Sequence, residues 1–371
     1  MQQYSWRAAR AIHAQCTLAM AMLTVLAAAA FTTATPPSFC AGEGWAQVWA
    51  DEFSGSVLNE SAWSIDVNAG DSHVRQSQGT RDNVYLEGGH LVLRSQREKS
   101  GKWNYTSGAV ETQHKVSWKG LTRACVSAKL PGGEGPAPKP GPDWCTTTPL
   151  GSCRTGCPAH SSVNKGTCGP EKKSPPAGHS CNECVCNKMN TSCGGDTKRP
   201  DSQGVWPAHW MMPDANSTGG PAVCWPSNGE IDIMEMVNGD GTTHATYHWR
   251  EREIGGCGDT CPDGKHCPHP SHGAGHPDKT DASVFHEYAV EYGHDHIHFA
   301  FDGVVFETIT KGTASASGQH AEFFDVPYYM ILNTAVGGPW PGEPTAHTKF
   351  PLHHTIDYVR ISQPTAKTQS L

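Results

Sequence analysis

An all-β sandwich or barrel is predicted for this chain on three observations. Gly and Pro together fill 67 of 371 positions, so turn-forming residues recur throughout. Short apolar and β-branched runs lie between those turns, and no helical periodicity of useful length interrupts them. Many short strands joined by Gly/Pro turns specify that class. Aromatics reach 8% and charged residues only 17%, a composition for a packed core and not for disorder. A formal charge of −8 and a pI near 6.2 leave no basic footprint for nucleic acid.

Taken in order, the chain opens on a targeting pattern. Met1 to Gln15 carries Arg7 and Arg10 without an acid, Cys16 to Phe31 is apolar, and Thr32 to Thr35 is small and polar. That order predicts a secretory signal peptide over 1–35. The competing reading is an uncleaved anchor, which needs ~17–25 apolar residues. No other segment is long and apolar enough to span a bilayer. Of fifteen Cys, Cys16 falls in the signal, and the fourteen that remain form an even set suited to disulfides in an oxidising compartment. Four N-x-[ST] sequons, at Asn59, Asn104, Asn190 and Asn216, agree with export. The expectation is a secreted, extracellular monomer, free of the membrane once the signal is cleaved.

Strand signals follow at Leu91–Leu93 after Gly88-Gly89, at Ser107–Trp118 and at Ala124–Leu130. They resume at Val205, run past Trp249, and return at Phe285–Tyr292, His296–Phe301, Tyr328–Val336 and Thr355–Ser362. Two stretches break the pattern. Residues 131–203 are rich in Pro, Gly, Ser and Lys and hold eight Cys, which predicts a disulfide-stapled insertion without an apolar core. It ends shortly before Trp206. Residues 255–279 form a second loop with Cys257, Cys261, Cys267 and four His. Oxidised Cys does not ligate zinc and the spacing matches no finger, so neither stretch is assigned a metal.

The sharpest chemical signal is Asn228-Gly-Glu-Ile-Asp-Ile-Met-Glu-Met-Val-Asn-Gly239. Strand side chains alternate, so Glu230 and Asp232 share one face and Ile231 and Ile233 the other. Strict alternation would drive Glu235 into the core, where an unpaired carboxylate is costly. One extra residue at Met234, a β-bulge, returns Glu235 to the acidic face and sends Met236 inward. The segment holds no Lys or Arg to relieve three acids. Such a strand is either a solvated acidic face or the paired carboxyl groups of glycoside hydrolysis.

Further motifs choose between these. Glu230-Ile-Asp-Ile-Met-Glu235 resembles the E-x-D-x-x-E signature of glycoside hydrolase family 16 in its laminarinase-like, bulged form. Trp206-Pro-Ala-His-Trp-Met-Met-Pro213, Trp49-Ala-Asp-Glu-Phe53, Tyr105-Thr-Ser-Gly108 and Thr246-Tyr-His-Trp249 are similar to other family strands. So are Phe285–Glu291, Leu332–Gly338 and Ile356–Arg360, in family order. The resemblance implies a domain over 41–364, with 365–371 as a tail. The fold it implies is a concanavalin A-like β-jelly roll of two curved antiparallel sheets with a substrate cleft. It implies retaining endo-hydrolysis of β-1,3-glucan without a catalytic cofactor. Glu230 would be the nucleophile, Glu235 the acid/base, and Asp232 the group that tunes Glu230. His248 would support the acid/base region, and Trp206, Trp210 and Trp340 would contact sugar. Asp357 on the last strand would hold a structural Ca²⁺.

Two departures stand out. Ala109 replaces a common Arg, and Thr122-Arg-Ala-Cys-Val-Ser127 lacks the usual Glu and second Arg of its strand. The alternatives to β-1,3-glucan hydrolysis are hydrolysis or transglycosylation of mixed-linkage glucan or a galactan, and glucan recognition without catalysis.

Overall fold

A computed structural model describes residues 38–67, 77–132, 200–214, 225–226, 228–250 and 270–365. All of them lie in one unit, Pro37–Leu371. The predicted signal, the Cys of both Cys-rich stretches, Asn190 and Asn216 and nearly all of the tail lie outside the described residues. Asn59 and Asn104 are both exposed. No helix among the described residues is long and apolar enough to cross a membrane.

Those residues fold into two sheets. The first has ten strands in the order β15 (Val304–Thr310), β14 (His296–Phe301), β13 (His286–Tyr292), β8 (Thr122–Lys129), β17 (Leu352–Pro364), β5 (His90–Gln96), β6 (Thr106–Ser107) and β3 (Gln78–Gly79). On it, β1 (Trp45–Asp51) also pairs with β17, and β4 (Val84–Glu87) with β5. The second has seven: β12 (Ser271–Gly275), β11 (His244–His248), β10 (Glu230–Glu235), β9 (Val205–Pro213), β16 (Tyr328–Val336), β7 (Ala109–Glu111) and β2 (Ser64–Ile65). Only β3–β6 is parallel. The fold is the expected jelly roll.

Period-two patterning builds the core between the sheets. Met211, Ile231, Ile233, Met330 and Leu332 point from the smaller sheet onto Leu91, Val126, Val290, Phe299 and Ile356 of the larger. Removing this apolar surface from water supplies the main driving force. Polar contacts also cross the layer: His209 of β9 stacks on His354 of β17, with Nε2 atoms 2.9 Å apart. Burial lowers the pKa of both, to about 3 for His354, so the pair is neutral. His209 Nδ1 has no partner and is therefore the bare nitrogen. Its Nε2–H then donates to His354, whose Nδ1 side is held by Thr334 and the Asn333 backbone.

Strand expectations need four adjustments. Ser107–Trp118 is not one strand; β6 and β7 are short, and Trp118 joins Tyr328 only as an isolated bridge. β15 was not foreseen. Residues 271–275, assigned to a loop, form the edge strand β12 against β11. Its Gly273 is required there, since a Cβ would lie 2.5 Å from the Ala245 carbonyl oxygen. Finally, β17 begins three residues earlier than expected, at Leu352.

The structure also explains motifs that carry no chemistry. Asp51 accepts hydrogen bonds from Trp63 Nε1 (3.0 Å) and the Phe53 amide (2.9 Å). Glu52 receives a two-pronged contact from Arg360 at 2.8 and 2.9 Å, tying the first strand to the last. Cys125, where the family strand has Glu, forms a disulfide with Cys40. That exchange is a covalent substitution on the outer face of the larger sheet, away from the carboxylates.

Candidate active site

The carboxylate strand carries its bulge. Asp232 opposes Trp210, but Met234 opposes His209, so two β10 residues span one step of β9. Opposite β11 the register breaks between Asp232 and Glu235. Ile231, Ile233 and Met236 are buried in the core, while Glu230, Asp232 and Glu235 share the outer face of the smaller sheet. The extra residue restores parity, as the cost of a buried Glu235 demanded.

Each glutamate is held by an indole. Trp206 Nε1 donates to Glu235 Oε1 at 3.0 Å, and Trp225 Nε1 donates to Glu230 Oε2 at 2.8 Å. Asp232 Oδ2 makes no hydrogen bond although His248 Nε2 stands 3.3 Å away. Burial pushes both Glu230 and Asp232 up to about 8. For Glu230 the Asp232 charge adds to the rise, while His248 and the Trp225 hydrogen bond oppose it. Glu235 is raised well above the ordinary range by burial and then by both other acids. Feeling two like charges, it keeps its proton longest. All three carboxyls thus hold their protons more tightly than in water, the tuning that acid/base chemistry uses.

The other expected residues fall as follows. Trp206 and Trp210 share the outer face; Trp210 Nε1 donates to Asn333 Oδ1 at 2.8 Å. Trp340, on the turn after β16, packs edge-on to Trp206 at 5.1 Å and against His244 at 5.4 Å, so the structure brings it to the site. His248 lies among the three acids. The antiparallel register sets it opposite Glu230, 3.9 Å from that carboxyl and 3.3 Å from Asp232, and its charge also opposes the rise of Glu235. His244 is the cross-strand partner of Glu235.

Asp357 lies in the other sheet. Its oxygens meet His90 Nδ1 and Ser127 Oγ, each at 3.3 Å. It belongs to no cluster of three metal-ligating side chains among the described residues. Calcium takes six to eight oxygens, backbone carbonyls and waters among them, and Asp357 with Ser127 offers the side-chain oxygens here.

Sequence reasoning missed Trp225, His244 and Asn333. Trp225 precedes a cis Trp225–Pro226 bond, and Trp-Pro five residues before Glu230 was the available signal. His244 is four residues before His248 on the same strand face. Asn333 was quoted within a motif without a role.

Comparison with known proteins agrees with this architecture. Residues 194–360 match the family described as Glycosyl hydrolases family 16. A β-glucanase of Rhodothermus marinus is 26% identical over 330 residues, covering 85% of either protein. The clotting factor G alpha subunit of Tachypleus tridentatus is 25% identical over 324 residues, 86% of this chain. The chain spans only 34% of that relative's length. The laminarinase catalytic domain of Thermotoga maritima superposes with a TM-score of 0.57 at 24% identity. The match covers 87% of this chain and all of that domain, a likeness of fold.

Proposed function

From the premise that the chain carries a family 16 glycosyl hydrolase domain, we propose that it is a secreted, monomeric endo-hydrolase of β-1,3-glucan acting with net retention. The catalytic domain would extend over 41–364 after loss of the signal. The observation that carries this reading is the bulged strand. It presents Glu230, Asp232 and Glu235 on one face with an indole N–H on each glutamate.

Glu230, ionised, attacks the anomeric carbon while Glu235 passes its proton to the leaving glycosidic oxygen. The C–O bond breaks and a glycosyl ester forms on Glu230. Glu235, now a carboxylate, takes a proton from water, whose oxygen displaces Glu230 and regenerates both groups. Asp232 holds the charge balance, and His248 steadies the Glu230 end. The carboxyl groups suffice for these steps, so no cofactor is called for. Trp206, Trp210 and Trp340 offer ring faces for sugar stacking. The Cys-rich insertion would shape access.

Reducing-sugar release from laminarin tests this. Glu230→Gln is expected to abolish turnover on every glucan. Glu235→Ala should be severe on laminarin and mild on an aryl glucoside whose leaving group needs no proton. Glucan binding by the unaltered chain without product would favour recognition alone, and release only from a mixed-linkage glucan or galactan would reassign the substrate.

A further inference from the structure

On the outer face of the ten-stranded sheet, away from the carboxylate strand, we infer a divalent-metal site formed by Glu291, His296 and His298 that takes Zn²⁺. Glu291 of β13 lies directly across from His298 of β14, and His296 is two residues earlier on the same strand face. One ligand atom from each of the three comes within 4.8 Å of the others. His296 Nε2 is already 3.0 Å from Glu291 Oε1. Two ligands on tetrahedral zinc, each at ~2.0–2.1 Å, stand ~3.3 Å apart. Small side-chain rotations therefore suffice to seat an ion.

What separates this trio from a chance ion pair is its outer partners, one for each ligand. His296 Nδ1 faces Asp295 Oδ1 at 2.7 Å. His298 Nδ1 faces Thr308 Oγ1 at 2.9 Å, which leaves its Nε2 for the metal. The second oxygen of Glu291 accepts from Arg123 Nε at 2.6 Å. Arg123 is itself fixed, lying 4.0 Å over the Trp45 ring and donating to the Phe39 carbonyl. Such contacts set ring tautomers and ligand orientation at metal sites. The carboxylates of Glu291 and Asp295 offset the Arg123 charge. Two imidazoles and one carboxylate suit zinc, whereas Ca²⁺ and Mg²⁺ want oxygen alone. All three ligands are on the β13–β14 hairpin, so the ion would staple it, leaving a fourth position to water.

Calorimetric titration of the intact chain with ZnCl₂ at neutral pH tests the site, with His298→Ala and Glu291→Gln titrated in parallel. Other histidines also take zinc, so the difference between proteins is the readout. The unaltered chain should bind one equivalent more than either variant, and Asp295→Asn should weaken that equivalent ~10–100-fold. Should a variant not fold, ring ¹⁵N resonances of the unaltered chain replace it: zinc should shift His296 and His298 together. Equal zinc binding by unaltered and variant chains, or unmoved resonances, would overturn the inference.

Discussion

Burial does most to raise the proton affinity of both glutamates, and the Asp232 charge adds to the rise. Removing that charge lowers both pKa values, because a like charge is what disfavours their ionised forms. Asp232→Asn should therefore move both limbs of the kcat/KM–pH profile toward acid, by roughly one pH unit or more. A profile that merely loses height, with both limbs in place, would mean that Asp232 does not tune them. At this scale the sequence was legible where parity and charge conflict, which is why Glu230, Asp232 and Glu235 stood out. It was silent on Trp225, because a single indole before a Pro gives no direction until the turn is built. The place of His248 opposite Glu230 was not legible for a related reason: a period of two tells which face a residue takes, but not which partner it meets across the ladder.

The bulge is the element that makes β10 workable. With one Ala inserted between Met234 and Glu235, the count is odd again, Glu235 falls on the face opposite Asp232, and a carboxylate enters the core among Met211 and Met330. Stability should drop by about 3 kcal/mol or more, as for an uncompensated buried charge, and activity should vanish. Chemical denaturation of the insertion beside Met234→Leu, which keeps the residue count, measures it. Near-equal midpoints would remove the bulge from the argument. Elements with strong apolar alternation were found from sequence, among them β13, β14 and β16. β12 was not, since Ser-His-Gly-Ala-Gly has no apolar period and pairs only through its backbone at a sheet edge. The loss of the family Glu at Cys125 became intelligible only with Cys40 beside it, 85 residues away in sequence.

For the molecule as a whole, two buried titrating groups pull stability in opposite directions. Folded Glu230 holds its proton up to about 8 against an ordinary 4.5, so its stabilising share is present below 4.5 and is lost as pH rises toward 8. Folded His354 has a pKa of about 3 against an ordinary 6.5. Its share is present above 6.5 and is lost as pH falls toward 3. The two windows overlap, which predicts a stability maximum between about pH 4.5 and 6.5. Melting temperatures across pH should show Glu230→Gln flattening the alkaline side and His354→Gln the acid side. A variant that lowers the curve evenly would contradict the linkage. The His209–His354 contact was not legible in the sequence, because its members lie 145 residues apart on different sheets.

The central claim is that Glu230 and Glu235 carry out hydrolysis with retention, and proton NMR of laminarin cleavage reads it most directly. At early times, before mutarotation, new reducing ends should appear as the β-anomer, and Glu230→Gln should produce none. An α-anomer formed first, or reducing ends released by Glu230→Gln at the rate of the unaltered chain, would contradict the account.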